Sequence, residues 1–125
     1  MKPEEIRSRI QQAAHAWMTG NAEAFAELFV PDGEFIVPGD RWIGRAAIRQ
    51  AVVDFAAAHS HVQIEIQRIL IDGDSAIVEW HWQEEIAGTH NSADDAIAID
   101  FHNGLISRWR EYIDTQSSST EVEAI

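Results

Sequence analysis

The sequence predicts an α+β fold in which three N-terminal helices pack against a cone-shaped, curved, antiparallel or mixed sheet. Three observations carry that expectation. Apolar residues recur at helical spacing through most of the first 58 positions. After His59-Ser60-His61 the period changes to two, with Val62, Ile64 and Ile66 alternating with Gln63, Glu65 and Gln67. Turn signals at Asp72-Gly73-Asp74 and Asn103-Gly104 then divide the remainder into long segments, as in a meander of strands.

The elements follow in order. Pro3 to Thr19 reads as a helix, with Ile6, Ile10, Ala13, Ala14, Trp17 and Met18 on its apolar side; Pro3 suits the first turn and Gly20-Asn21 the end. Ala22 to Phe29 reads as a short second helix, followed by a turn at Pro31-Asp32-Gly33. Glu34 to Val37 is a short strand stopped by Pro38-Gly39, and the segment around Trp42 is a loop leading into a third helix from Arg45 to Ala58. Ile48, Val52 and Phe55 mark the buried stripe of that helix. In the next strand Ile69 and Ile71 fall out of phase, which predicts a bulge or bend near Arg68. Ser75 to Ile86 is a strand, residues 88–92 a turn, Ala93 to Phe101 a strand and Leu105 to Asp114 the last strand. Residues 1–115 form one domain, and 116–125 (QSSSTEVEAI) read as a frayed, disordered tail. The open end of a cone built this way is a natural pocket.

Strand alternation selects the residues of that pocket. On Leu105–Asp114 one face carries Leu105, Ser107, Trp109, Glu111 and Ile113, and the other Ile106, Arg108, Arg110 and Tyr112. Glu111 therefore stands between a Trp and an Ile, where an unpaired carboxylate shifts its pKa, finds a partner or does chemistry. The apolar faces of three strands bring Trp80, Trp82, Ile97, Ile99, Trp109 and Glu111 together, with Asp95 near a solvated rim. The tryptophans form either an aromatic cup for a planar or apolar molecule or simply a core packed on the helices. The opposite face (Ile77, His81, Ala96, Ala98, Ile106, Tyr112) is too apolar for a free surface, so a homodimer through it is expected. Arg108 and Arg110 are expected to pair there with Glu79 or Asp100.

Composition narrows the partners. Nine Lys and Arg against 21 Asp and Glu leave a net charge of −12, which argues against nucleic acid and anionic membranes. The chain has no cysteine, which excludes disulfides and thiolate chemistry and is compatible with a cytoplasmic protein. The N-terminus lacks an apolar signal core and no run reaches transmembrane length. Its six His are scattered without metal-ligand spacing, so neither a metal nor a cofactor is expected.

Four local patterns, in order, carry a family resemblance: Trp17-x-x-Gly20-Asn21; Leu28-Phe29-x-Pro31-Asp32-Gly33; Ile43-Gly44-Arg45-x-x-Ile48; and Asn103-Gly104-x-Ile106-x-x-Trp109-Arg110-Glu111-Tyr112. Together they resemble the nuclear transport factor 2-like superfamily in its SnoaL-like branch, over about residues 4–115. The resemblance implies a cystatin-like roll, usually dimeric, in a superfamily that hosts polyketide cyclases, ketosteroid isomerase, scytalone dehydratase and limonene epoxide hydrolase. Glu111 matches the catalytic Asp of the epoxide hydrolase's Trp-Arg-Asp-Tyr strand with one extra methylene. That enzyme's Arg and Asp on the neighbouring strand correspond to Trp80 and Trp82, and its water-positioning Tyr and Asn to Phe35 and Val37, so its triad is missing. Val37 before Pro38 likewise replaces the isomerase's base.

Two functions remain open at this level. One is an enzyme with Glu111, and secondarily Asp95, as general acid or base for isomerisation, cyclisation or dehydration. Trp17, Phe35, Val37, Trp42, Trp80, Trp82, Ile97, Ile99 and Trp109 would then bind the ligand, with Trp42 a lid over the mouth or a residue packed on the third helix. The other is a non-catalytic ligand-binding or dimeric interaction module.

Overall fold

The computed structural model describes residues 1–115; the expected tail, 116–125, lies outside them. The helix α1 spans Pro3–Thr19 and α2 Ala22–Glu27; the strands β1 (Phe29–Val37) and β2 (Asp40–Ile43) follow, then α3 (Arg45–Ala58). Four long strands follow: β3 (Ser60–Asp72), β4 (Ser75–Ile86), β5 (Thr89–His102) and β6 (Leu105–Thr115). Among the described residues they form one curved, unclosed sheet in the order β2-β1-β6-β5-β4-β3, in which β1 runs parallel to β6 and the other pairs are antiparallel.

The helices lie where periodicity places them. The first ends at Gly20, whose φ of 66° is the left-handed conformation that a C-terminal glycine adopts most readily. Asn21 then caps the second through an Ala24 N–H···Oδ1 bond of 3.0 Å. The second helix stops at Glu27 rather than Phe29, because a helix this short is outcompeted by sheet pairing. Phe29 opens β1, and the Leu28 carbonyl accepts the Ile106 N–H at 2.7 Å.

Three strand expectations need correction. The segment Pro31-Asp32-Gly33 is not a chain-reversing turn but an irregularity inside β1, where an advance of five residues along β1, from Phe29 to Glu34, matches an advance of two along β6, from Ile106 to Arg108. Gly33 is required there, since a Cβ would sit 2.9 Å from the Phe29 ring and 3.2 Å from the Ile106 carbonyl. The segment around Trp42 is strand β2 rather than loop, folded back on β1 through Pro38-Gly39 so that Trp42 faces Phe35. The turn expected over residues 88–92 is shorter and lies one residue earlier: Ala87 and Gly88, both at positive φ (51° and 84°), make the two-residue reversal, and β5 starts at Thr89. The bulge expected near Arg68 is present between Ile66 and Arg68.

A second bulge changes which residues face inward. Asp100 pairs with Arg108 but Phe101 pairs with Ile106, leaving Ser107 as the extra residue. Ile106, expected on the outer face, is turned into the core and is only 1% exposed. That core lies between the concave side of the sheet and the helices, with Trp80, Trp109, Phe25 and Phe29 its largest fully buried side chains. Outside, Ile77 and Tyr112 are exposed as expected. The expected arginine pairs differ: Glu79 bonds Arg68 at 3.0 Å, and the Arg110 guanidinium lies 5.0 Å over the Tyr112 ring. Arg45, at the start of α3, donates to the Phe29 carbonyl at 2.8 Å.

Candidate active site

Two carboxyl groups and two indoles form the floor of the cone. Glu111 lies on β6 opposite Ile97, and Asp95 on β5 opposite both Ile113 and Trp80, so the two acids are diagonal neighbours on one sheet face. Each accepts a hydrogen bond from a buried tryptophan: Trp109 Nε1 to Glu111 Oε1 at 2.9 Å, and Trp80 Nε1 to Asp95 Oδ2 at 3.1 Å. The two indoles are packed together with ring centres 5.7 Å apart. A buried indole needs an acceptor for its N–H, and here the acceptor is an acid. The indole orients the carboxyl without a neutralising positive charge.

The acids are correspondingly perturbed. Burial pushes the Glu111 carboxyl up to about 8; the nearby negative charge of Asp95 acts in the same direction, and the Trp109 N–H opposes both. Glu111 keeps some accessible surface, lining a cavity and also a second depression beside Pro38, Gly39 and Tyr112. Burial also raises Asp95, to about 6, against the Trp80 hydrogen bond. Asp95 is not the solvated rim residue expected from sequence. It is 6% exposed, since β5 begins six residues before it, and its Oδ1 is buried without a hydrogen-bond partner.

Above this floor opens a cavity of about 550 Å³. Trp17, Phe35, Val37, Trp42 and Trp82 line it together with Asp95 and Glu111. Trp42 stacks on Phe35 at 5.2 Å, and Trp17 meets Trp82 edge to face at 5.8 Å. Four other residues expected at the wall, Trp80, Ile97, Ile99 and Trp109, do not line it; they are core residues beneath it, each at most 1% exposed. A residue missed from sequence is Glu84, although it continues the Trp80-Trp82 face of β4 by two. It accepts from Trp82 Nε1 at 2.6 Å and lies 2.9 Å from His59 Nε2. The His59 ring is stacked 3.7 Å from that of Phe55, another wall residue. Asp54, Asn91 and Ser92 also line the cavity and carried no sequence signal, since helix and strand positions at a cone mouth look like ordinary solvated ones.

The fold agrees with the comparisons. The model of the SnoaL-like domain matches residues 10–109, so the chain belongs to the SnoaL-like domain family. No curated protein matches the sequence. Among solved structures, it is similar to a hypothetical protein with a ketosteroid isomerase-like fold from Catenulispora acidiphila, solved in complex with trimethylamine (TM-score 0.79, 23% identity, 90% of this chain and 86% of that one). A LEH-like epoxide hydrolase of M. tuberculosis is similarly placed (TM-score 0.79, 17% identity, 89% and 84%). So is an NTF2-like protein from Anabaena variabilis (TM-score 0.80, 16% identity, 88% and 87%). At these identities the likeness concerns the fold.

Proposed function

We propose that this protein binds a small apolar or aromatic molecule in the cavity and transfers a proton on it, with Glu111 as general acid or base and no cofactor. The observation that carries this reading is a deeply set carboxyl, held neutral near physiological pH by burial, at the floor of a tryptophan-walled cavity. Between about pH 6 and 8 Glu111 holds its proton while Asp95 is ionised. One cavity then contains both a proton donor and a proton acceptor. Proton transfer beside a carbonyl fits such a pair, in isomerisation, cyclisation or dehydration. The presence of an epoxide hydrolase among proteins of similar fold is compatible with chemistry in this cone.

The test is hydrogen–deuterium exchange beside the carbonyl in a panel of aryl and cyclic ketones, followed by NMR in D₂O. The wild-type protein is expected to accelerate exchange and Glu111→Gln to abolish it while remaining folded. Exchange retained in Glu111→Gln would remove Glu111 as the catalyst. Binding without exchange would favour the second reading, a non-catalytic binding module; Trp80 and Trp82 at the positions of the hydrolase's Arg and Asp point that way. The exposed apolar side chains Ile77 and Tyr112 support a homodimer through the outer sheet face. A monomer mass in analytical ultracentrifugation at micromolar concentration would count against it.

A further inference from the structure

The cavity has a charge pattern that an apolar ligand does not explain. Among the described residues, five aromatic rings and four carboxylates line it, and none of the nine Lys and Arg side chains does. Each of those acids accepts a hydrogen bond: Asp54 from Gln50, Glu84 from Trp82, Glu111 from Trp109 and Asp95, through Oδ2, from Trp80. Asp95 is different. It lines the cavity at 6% exposure, and its Oδ1 is buried with no hydrogen bond. A buried carboxylate oxygen left unsatisfied is costly, and native structures seldom retain one without a reason. Asp95 titrates near 6 and so is charged at neutral pH. No group among the described residues donates to that oxygen.

Three features describe a donor for that oxygen. Aromatic faces attract cations, most strongly where water is excluded, and Trp is the best of them. The net charge of −12 enriches cations around the protein and disfavours anionic ligands. Among the described residues no three His, Asp or Glu side chains converge as a metal ion would require, so the cation is organic rather than metallic. We propose that the cavity takes a small organic ammonium, its nitrogen set against Asp95 and its apolar groups among Trp17, Trp42 and Trp82. This inference rests on reading the cavity as a small-molecule site and specifies the class of molecule.

The test compares choline with 3,3-dimethylbutan-1-ol, its uncharged isostere, and with acetophenone as an uncharged aromatic. Binding is read from the indole N–H cross-peaks of Trp17 and Trp82 in ¹⁵N-labelled protein. Choline is expected to bind at least about tenfold more tightly than the alcohol. Asp95→Asn should lower that ratio several-fold. Equal or weaker binding of choline overturns the ammonium assignment. If acetophenone or the alcohol still binds, the small-molecule reading stands; if none of the three binds, both fall. Should Asp95→Asn misfold, the choline-to-alcohol ratio on the wild-type protein decides alone.

Discussion

Trp109 donates its indole N–H to Glu111, two residues further along the same strand, at 2.9 Å. Residues i and i+2 of a strand point to the same side, so one short stretch of β6 supplies both the acid and the group that orients it. Trp80 and Asp95 repeat the arrangement across β4 and β5. The result is a pair of acids held by neutral donors, in surroundings that favour their protonated forms.

Stability should therefore fall as pH rises. An unfolded Glu titrates near 4.5, and Glu111 in the folded protein near 8, so between these values the folded state holds a proton that the unfolded state has released. The contribution is most favourable below about 4.5, declines through the window and is least favourable above about 8. Asp95 acts likewise between 3.8 and about 6. Glu111→Gln, which is neutral throughout, should flatten the decline and raise Tm at pH 9 by on the order of several °C relative to wild type. Thermal melts of both proteins from pH 5 to 9 check this; parallel curves would show that Glu111 is not held protonated.

The two acids should be coupled. The charge on Asp95 raises Glu111, so Asp95→Asn is expected to lower the Glu111 pKa from about 8 toward neutrality. A carboxyl-¹³C NMR titration of Glu111 in wild type and variant measures the difference directly. An unmoved midpoint would mean that burial alone sets it.

The bulge at Ser107 can be tested by side-chain truncation on each side of the sheet. Ile106→Ala should cost roughly 2–5 kcal/mol, because Ile106 is 1% exposed and its removal leaves a core cavity. Ile77→Ala, at 44% exposure, should cost under about 1 kcal/mol in the monomer. Denaturant unfolding of the two variants gives the comparison. Similar losses would contradict the inward placement of Ile106.

Gly33→Ala should destabilise the fold by about 1–3 kcal/mol, since its Cβ would meet the Phe29 ring at 2.9 Å and the Ile106 carbonyl at 3.2 Å. Both contacts lie within the β1–β6 junction, so the loss should appear as a lower denaturant midpoint. A neutral substitution would show that β1 can shift without disturbing its pairing.

Much of this protein was legible in its sequence because local periodicity reflects local geometry. The bounds of α1 and β4, the Asn103-Gly104 reversal and the bulge before Arg68 follow from side-chain spacing and turn chemistry alone. So does the placement of Glu111 on the face of Trp109. What the chain's neighbours decide was not legible. Ile106 turned inward through one extra residue that only the pairing of β5 with β6 reveals. The strand β2 exists because β1 offers it an edge, and Asp95 is buried because β5 starts earlier than its polar residues suggest. Whether a tryptophan walls the cavity, as Trp82 does, or lies beneath it, as Trp80 and Trp109 do, depends on the curvature of the sheet and on where the helices cover it. Alternation assigns a side chain to a face, but its depth on that face is a property of the assembled fold.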